Sequence, residues 1–400
     1  MMYNDPLFQT SFSLLTQLHR KGFEGHIVGG AVRDLVLGRP VGDIDIATSA
    51  TPDQVNQVFD QVIPIGVEHG TVLVRYQSQS FEVTTYRTEQ GYTDFRHPDQ
   101  VSFVQSIQDD LSRRDFTINA MAMDANEKII DPYGGKDDLA NGRIRAVGDA
   151  QTRFSEDPLR MMRALRFASQ LQFEVESEVR TAIEDQAAKL GHIATERVAI
   201  EFAKLTAGVN YKEGLQLCSQ LGVFSHLPIF SKYHHLQKVV PADRLEGFAV
   251  LITYYYEQDN NIDILQWVKS WKQSNKVKRD SFSLAQALRE FRKKDEVTHW
   301  LVYQLPEHLL ISFVQLLRAL GYRIEEQCLT NVAAKLPIQS RNDLAFGAKD
   351  LIQLFPQKPK GPWIKSGVEK IEYAVVNKQL PNKYEQIKEW VDQWNPPVNN

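Results

Sequence analysis

Four hundred residues, 42% hydrophobic and 24% charged, describe an ordinary globular chain that is too long for one typical domain. The formal net charge of −4 excludes a global positive field, so any nucleic-acid contact must rest on local basic patches. Two distant cysteines, Cys218 and Cys328, exclude a disulfide scaffold and a Cys-rich zinc site and suit a reducing cytoplasm. The opening residues carry no secretion signal, and no apolar stretch approaches the roughly 20 residues that span a bilayer.

In chain order, "GHIVGG" (25–30) predicts a strand ending in a glycine turn, and "AVRDLVLG" (31–38) a helix stopped by Gly38. "DIDIAT" (43–48) alternates polar and apolar residues and predicts a strand. In "TPDQVNQVF" (51–59), Thr51 is placed to cap a helix, Pro52 suits its first position and Gln54 completes a capping box. "TVLVRYQSQSFEVTTYR" (71–87) predicts two strands joined by a polar turn, and "EQGYTDFRHPDQ" (89–100) a loop. "RDFTINAMAMD" (114–124) opens another apolar segment and "DPYGG" (131–135) a turn. From about 150 onward the spacing is helical, beginning with "EDPLRMMRALRFASQLQF" (156–173), and strand signals become scarce. The pattern predicts an α+β chain: a head of strands and helices, then helices to the C-terminus. No internal repeat or low-complexity tract is present.

Strand side chains alternate faces, so Asp43 and Asp45 share one face and Ile44 and Ile46 the other. Two unpaired carboxylates this close repel. A divalent cation relieves that, and Mg²⁺ takes one or two carboxylates plus substrate phosphates. Alone, Asp-x-Asp would read as a solvated strand end. Gly29 and Gly30 before a helix, with Arg33 in its first turn, add a second feature suited to phosphates, and the combination outweighs the bland reading.

"GGAVRD…G…DIDIAT" resembles the signature of the DNA polymerase β-type nucleotidyltransferases, and more closely that of the bacterial and eukaryotic tRNA CCA-adding enzymes and the related bacterial poly(A) polymerases. The resemblance continues through "RRDFTINAMA" (113–122), "DPYGGKDDL" (131–139), "EDPLRMMRALRFA" (156–168) and "ERVAIE" (196–201). It covers the first half of the chain; the second half carries no such motif. It implies a catalytic nucleotidyltransferase head (1–148), a helical neck with a base-selecting helix (149–210), and a helical body and tail that bind tRNA (211–400), the α-helical part being elongated. It implies Mg²⁺ on Asp43 and Asp45, nucleotide contacts from Gly30 and Arg33, phosphate contact from Arg114 and ribose contact from Asp115. Asn119 assists there or is a satisfied structural amide. Glu82 in "FEVTTYR" is the candidate third carboxylate from an adjacent strand.

In "EDPLR", Asp157 and Arg160 are expected as neighbours on one helix face. Aspartate only accepts hydrogen bonds and arginine only donates. Cytosine and adenine present an amino donor beside a ring-nitrogen acceptor; guanine and uracil present the reverse. An Asp/Arg pair thus accepts C and A and rejects G and U. In the family this helix is understood to replace a nucleic-acid template. Each three-residue step turns a helix by about −60°, which sets Arg166 nearly opposite Asp157. Arg163 is expected to reach the nucleotide. Arg166 is expected to brace the helix or meet the head, although the family pattern includes it in the site.

The stretch 88–101 resembles the flexible loop of relatives that add the terminal A. "YHHL" (233–236) lacks a His-Asp partner and reads as structural or surface. Residues 265–295 are rich in basic residues interleaved with Trp267 and Trp271. Lys269, Lys272, Lys276, Lys278 and Arg279 there are candidates for an RNA backbone, and solvated helix faces are the equal alternative. "KPKGPWIK" (358–365) is a weaker basic candidate. The sequence thus predicts a cytoplasmic enzyme adding C, C and A to tRNA from CTP and ATP, with Mg²⁺, no membrane partner, and a homodimer left open. The rivals are a poly(A) polymerase, a partial CC- or A-adding enzyme, and a non-catalytic RNA-binding module.

Overall fold

The structure is a computed structural model that describes residues 5–92, 95 and 99–394. The chain forms two compact units, Met1–Lys238 and Val239–Asn400.

The first unit begins with α1 (Pro6–Arg20), capped by Asp5, whose carboxylate accepts from the Leu7 amide. There follow β1 (Gly25–Val28), α2 (Gly30–Val36), β2 (Asp45–Thr48), α3 (Pro52–Val58), β3 (Val62–Gly66), β4 (Thr71–Tyr76) and β5 (Gln79–Thr85). The Thr51/Gln54 capping box of α3 forms as its sequence predicts. A two-residue turn, Gln77 and Ser78, both at positive φ, joins β4 to β5. Next come β6 (Arg87–Gln90), β7 (Gln100–Phe103), α4 (Ile107–Ser112), β8 (Ala122–Met123), β9 (Ile129–Ile130), α5 (Gly135–Ala140) and β10 (Arg143–Ile144). Among the described residues the main sheet has seven strands in the order β3-β4-β5-β2-β1-β8-β9. Within that sheet, among the described residues, β2 and β5 alone pair in parallel; the sheet is mixed, as expected.

The stretch 88–101 is less irregular than its lack of periodicity suggests. Arg87 pairs with Phe103 and Glu89 with Val101 in an antiparallel β6–β7 ladder, because cross-strand hydrogen bonding needs no apolar alternation. Residues 93, 94 and 96–98 of the expected loop lie outside the described residues.

Beyond β10 the unit is helical: α6 (Ala150–Glu156), α7 (Leu159–Leu171), a short β11 (Glu174–Val175) beside β10, α8 (Ser177–Gln186), α9 (Thr195–Thr206) and α10 (Tyr211–Gln220). Helix α7 turns Met161, Leu165 and Ala168 into the core.

In the second unit, α11 (Phe248–Gln258), α12 (Ile264–Ser270) and α13 (Asn275–Lys294) come first. Trp267 and Trp271 do not interleave with the lysines on a surface. Both are fully buried, Trp267 stacked on Tyr255 at 5.6 Å and Trp271 against Phe248 at 5.6 Å. Burying two indoles outweighs any use as base-stacking platforms. Lys269, Lys272, Lys276 and Arg279 are exposed, and Lys278 is half-buried. A C-terminal cluster packs Ile371, Val375, Ile387 and Val391. Within it the buried Glu372 accepts from the Tyr303 hydroxyl (2.5 Å) and from Arg341 Nε (2.9 Å). Among the described residues no helix is long and apolar enough to cross a membrane.

Candidate active site

Strand β1 delivers the chain to Gly29, whose φ of +70° suits glycine. A Cβ there would sit 2.9 Å from Arg114 Nη1, so the turn is shaped to admit that guanidinium. On α2, Arg33 donates to Asp34 (Nε 3.0 Å, Nη2 2.8 Å) and to the Asn119 side-chain oxygen (2.7 Å). Asn119 also donates to Asp115 at 3.3 Å. Its amide therefore bridges two members of the site, which is the structural alternative the sequence left open.

Strand β2 begins at Asp45, so Asp43 and Ile44 of the expected strand precede it; Ile44 and Ile46 are buried while Asp43 and Asp45 are exposed. Asp45 opens β2, lies opposite Val28 of β1 and is in register with Glu82 of β5. Asp45 still reaches solvent, yet loss of solvation raises its pKa, and the Glu82 carboxylate adds to the rise; Arg114 opposes it and Asp43 contributes further. This crowding of carboxylates fits a cation. Among the described residues no group of three or more His, Cys, Asp or Glu side chains could hold a metal ion. Glu82, in register with Asp45, thus does not complete the expected three-carboxylate group, and Asp43 and Asp45 would need phosphate or water oxygens to complete a coordination shell.

One cleft of about 480 Å³ gathers Gly30, Arg33, Asp45, Arg114, Asp115, Asn119, Asp157, Arg160, Arg163 and Arg166. The Asp115 carboxylate takes Arg163 Nε at 2.5 Å and the Phe116 amide at 2.8 Å. Burial would raise its pKa, but Arg163 and Arg160 hold it well below the ordinary carboxylate range. The Phe167 ring is a shared platform: the Arg166, Arg33 and Arg163 guanidiniums lie 4.1, 5.2 and 5.5 Å from its centre. Among the described residues, the buried Nε atoms of Arg114 and Arg166 have no hydrogen-bond partner. Burial, then the Arg163 charge, brings the Arg166 pKa down to about 10.

The expected helical neighbours Asp157 and Arg160 are arranged differently. Asp157 is not on α7; it is the extended C-cap of α6 (φ −137°, ψ 99°). Pro158 disfavours helical conformation in the residue before it, so the chain breaks there. The Asp157 carboxylate instead caps α7 at the Leu159 amide (3.0 Å) and pairs with Arg197 of α9 at 2.7 Å. Arg160 is held by Glu156 (2.5 Å) and by the Arg113 carbonyl (3.0 Å). The helical angle from Asp157 therefore does not apply to Arg166, which both lines the cleft and is braced by Glu201 at 3.2 Å.

The apolar Leu159 and Phe167 had no role assigned from the sequence, nor had two charged residues of the cleft, Arg113 and Arg197. Both lie inside matched motifs, "RRD" and "ERVAIE". Their signal was charge within a motif, without local spacing to assign a partner. In the other direction, His234 bonds Gln237 at 3.0 Å, in keeping with a structural role.

Three family models match the chain: the poly A polymerase head domain over residues 25–145, a probable RNA and SrmB-binding site of polymerase A over 172–233, and a putative tRNA nucleotidyltransferase domain 2 over 245–391. A CCA-adding enzyme of Oceanobacillus iheyensis is 43% identical over 394 residues, 98% of each chain. One of Anoxybacillus flavithermus is 42% identical over 395 residues, 96% of each. The Bacillus stearothermophilus CCA-adding enzyme in complex with CTP has a crystal structure similar to this fold. Its TM-score is 0.83 over 97% of each chain, at 35% identity.

Proposed function

This chain belongs to the CCA-adding enzymes, and from that premise we propose how its cleft works. The enzyme is a tRNA nucleotidyltransferase that adds C, C and A to the tRNA 3′ end from CTP and ATP without a nucleic-acid template, releasing pyrophosphate. One observation carries the reading of the site. A single cleft holds the Asp157 acceptor, the Arg160 donor, the Asp45 carboxylate and two arginines whose Nε donors have no partner among the described residues.

Asp157 offers a free lone pair to the amino group of cytosine or adenine, since the Leu159 amide and Arg197 occupy only part of its acceptor capacity. Arg160 keeps donors to spare for the ring nitrogen, because Glu156 and the Arg153 and Arg113 carbonyls use three of its five. Guanine and uracil set like against like at both positions. Arg114, Arg163 and Arg166 meet the triphosphate, and Asp115 faces the ribose hydroxyls. Family members use a divalent metal; here Mg²⁺ is the proposed ion, which Asp43 and Asp45 would hold, the Glu82 carboxylate adding negative charge beside Asp45. When bound, it stabilises the attacking and leaving oxygens. The chain's own part is to present the two carboxylates on one face and to hold the phosphates in line.

The same reading keeps the division into head (1–148), neck (149–210) and tRNA-binding body and tail (211–400), and a cytoplasmic location. It assigns RNA-backbone contacts to Lys269, Lys272, Lys276, Lys278 and Arg279. The test is incubation with tRNA lacking its 3′ end and each NTP in turn, then sequencing of the added nucleotides. Ordered C, C, A is the expected product. Runs of A would indicate a poly(A) polymerase, and no addition would overturn the catalytic reading.

A further inference from the structure

We infer that Asp110, a residue outside the cleft lining, is the positioning residue that holds Arg114 for phosphate recognition. The inference rests on the nucleotidyltransferase reading of the cleft. Asp110 lies on α4 with its side chain 1% exposed. One of its oxygens takes Arg113 Nε at 3.0 Å, Arg113 Nη2 at 2.8 Å and the Arg87 amide at 3.4 Å. The other takes Arg114 Nη2 at 3.4 Å. Burial would favour the neutral acid, but the two guanidiniums keep its pKa below the ordinary carboxylate range.

The two arginines are served unequally. Arg113 has two anionic partners at short range, Asp110 at 2.8 Å and Glu89 at 2.9 Å. Among the described residues Arg114 makes one long contact to Asp110 and a 3.3 Å bond from Nη1 to the Asn119 carbonyl. Its buried Nε has no acceptor among the described residues. Arg114 is thus steered from behind while its Nε stays without a hydrogen-bond acceptor among the described residues. The Gly29 turn closes in on the other side, where a Cβ would meet Nη1 at 2.9 Å. Asp110 also separates two like charges. Without its carboxylate, Arg113 and Arg114 repel with no shared counter-ion, and Arg114 is the one free to swing away, since Glu89 retains Arg113. A group that only stabilised the fold would have no reason to act on anions in particular.

The experiment measures binding of CTP, inorganic pyrophosphate and cytidine to the full chain by calorimetry. The variants are Asp110→Asn, Arg114→Ala and the double variant, each checked by thermal melting. Asp110→Ser replaces Asp110→Asn if the latter does not fold. The expected result for Asp110→Asn is roughly tenfold weaker binding of CTP and pyrophosphate with cytidine binding unchanged. The double variant should bind like Arg114→Ala alone, since residues acting through one another are not additive. A folded Asp110 variant that binds pyrophosphate like the wild type overturns the inference. So does additivity with Arg114→Ala, or an equal loss of cytidine, which would mark a general distortion. A wild-type chain that binds neither CTP nor pyrophosphate would instead overturn the reading of the cleft itself.

Discussion

Asp45 holds its charge against its surroundings: loss of solvation and the Glu82 carboxylate both favour its protonated form. An aspartate whose folded pKa is raised makes its ionised state a cost to the fold above the unfolded value. Asp45→Asn is therefore expected to melt at the wild-type temperature or higher at neutral pH while losing transfer of both CMP and AMP. Added Mg²⁺ should raise the melting point of the wild type but not of the variant; an equal rise in both would move the metal elsewhere. On the proposed base-selecting role of Asp157 and Arg160, Arg160→Ala should lose selectivity before stability, because Glu156 retains Arg153 at 2.9 Å. A charged hydrogen bond contributes about 1.5–3 kcal/mol. Use of CTP and ATP should weaken accordingly while UTP and GTP gain ground relative to them. Arg197→Ala, which frees Asp157, should blur the same choice. Incorporation of all four NTPs by folded variants checks both, and unchanged selectivity in either would remove that residue from base choice. That Asp157 accepts and Arg160 donates follows from residue types alone. The partner Arg197 was not legible, since it is 40 positions from Asp157.

Two elements make their own forecasts. The β6–β7 hairpin is tied at its root, where Glu89 pairs with Arg113 and Tyr92 donates to Glu89 at 2.6 Å. Shortening residues 88–101 should spare C addition and impair A addition. Separate counting of CMP and AMP incorporation checks this, and equal loss of both would point to a folding role instead. Just before the hairpin, the buried Tyr86 hydroxyl meets His26 Nδ1 of β1 at 2.6 Å. Burial lowers the His26 pKa from 6.5. The unfolded chain therefore takes up the proton first, and stability present above about pH 6.5 falls as pH drops toward the folded value. Melting curves from about pH 7.5 to 5.5 should show a steeper acid loss in the wild type than in His26→Gln. Parallel curves would contradict the assignment. Local chemistry made the α3 capping box readable, since its residues are adjacent. The break at Pro158 was readable too, but helical periodicity through 156–173 masked it.

On the scale of the whole molecule, the second unit separates packing from contact. Trp267→Ala should cost about 3–5 kcal/mol and lower the melting temperature, because the indole is fully buried. Lys269→Ala or Lys276→Ala should leave melting unchanged and weaken tRNA binding, each reducing the salt slope by about one. If the lysine variants bind like the wild type at every salt concentration, α12 and α13 are merely solvated faces.

The sequence by itself determined the run β1, α2, β2, α3, β4 and β5 of the head and the family, because those depend on neighbours a few positions apart. Only the tertiary structure decided that Asp45 lies in register with Glu82. It alone seated the arginines on Phe167, separated Asp157 from α7 and answered it with Arg197, and turned Trp267 of α12 and Trp271 just after it inward. Each of these depends on residues far apart in the chain meeting in space, and on burial that only a closed core confers.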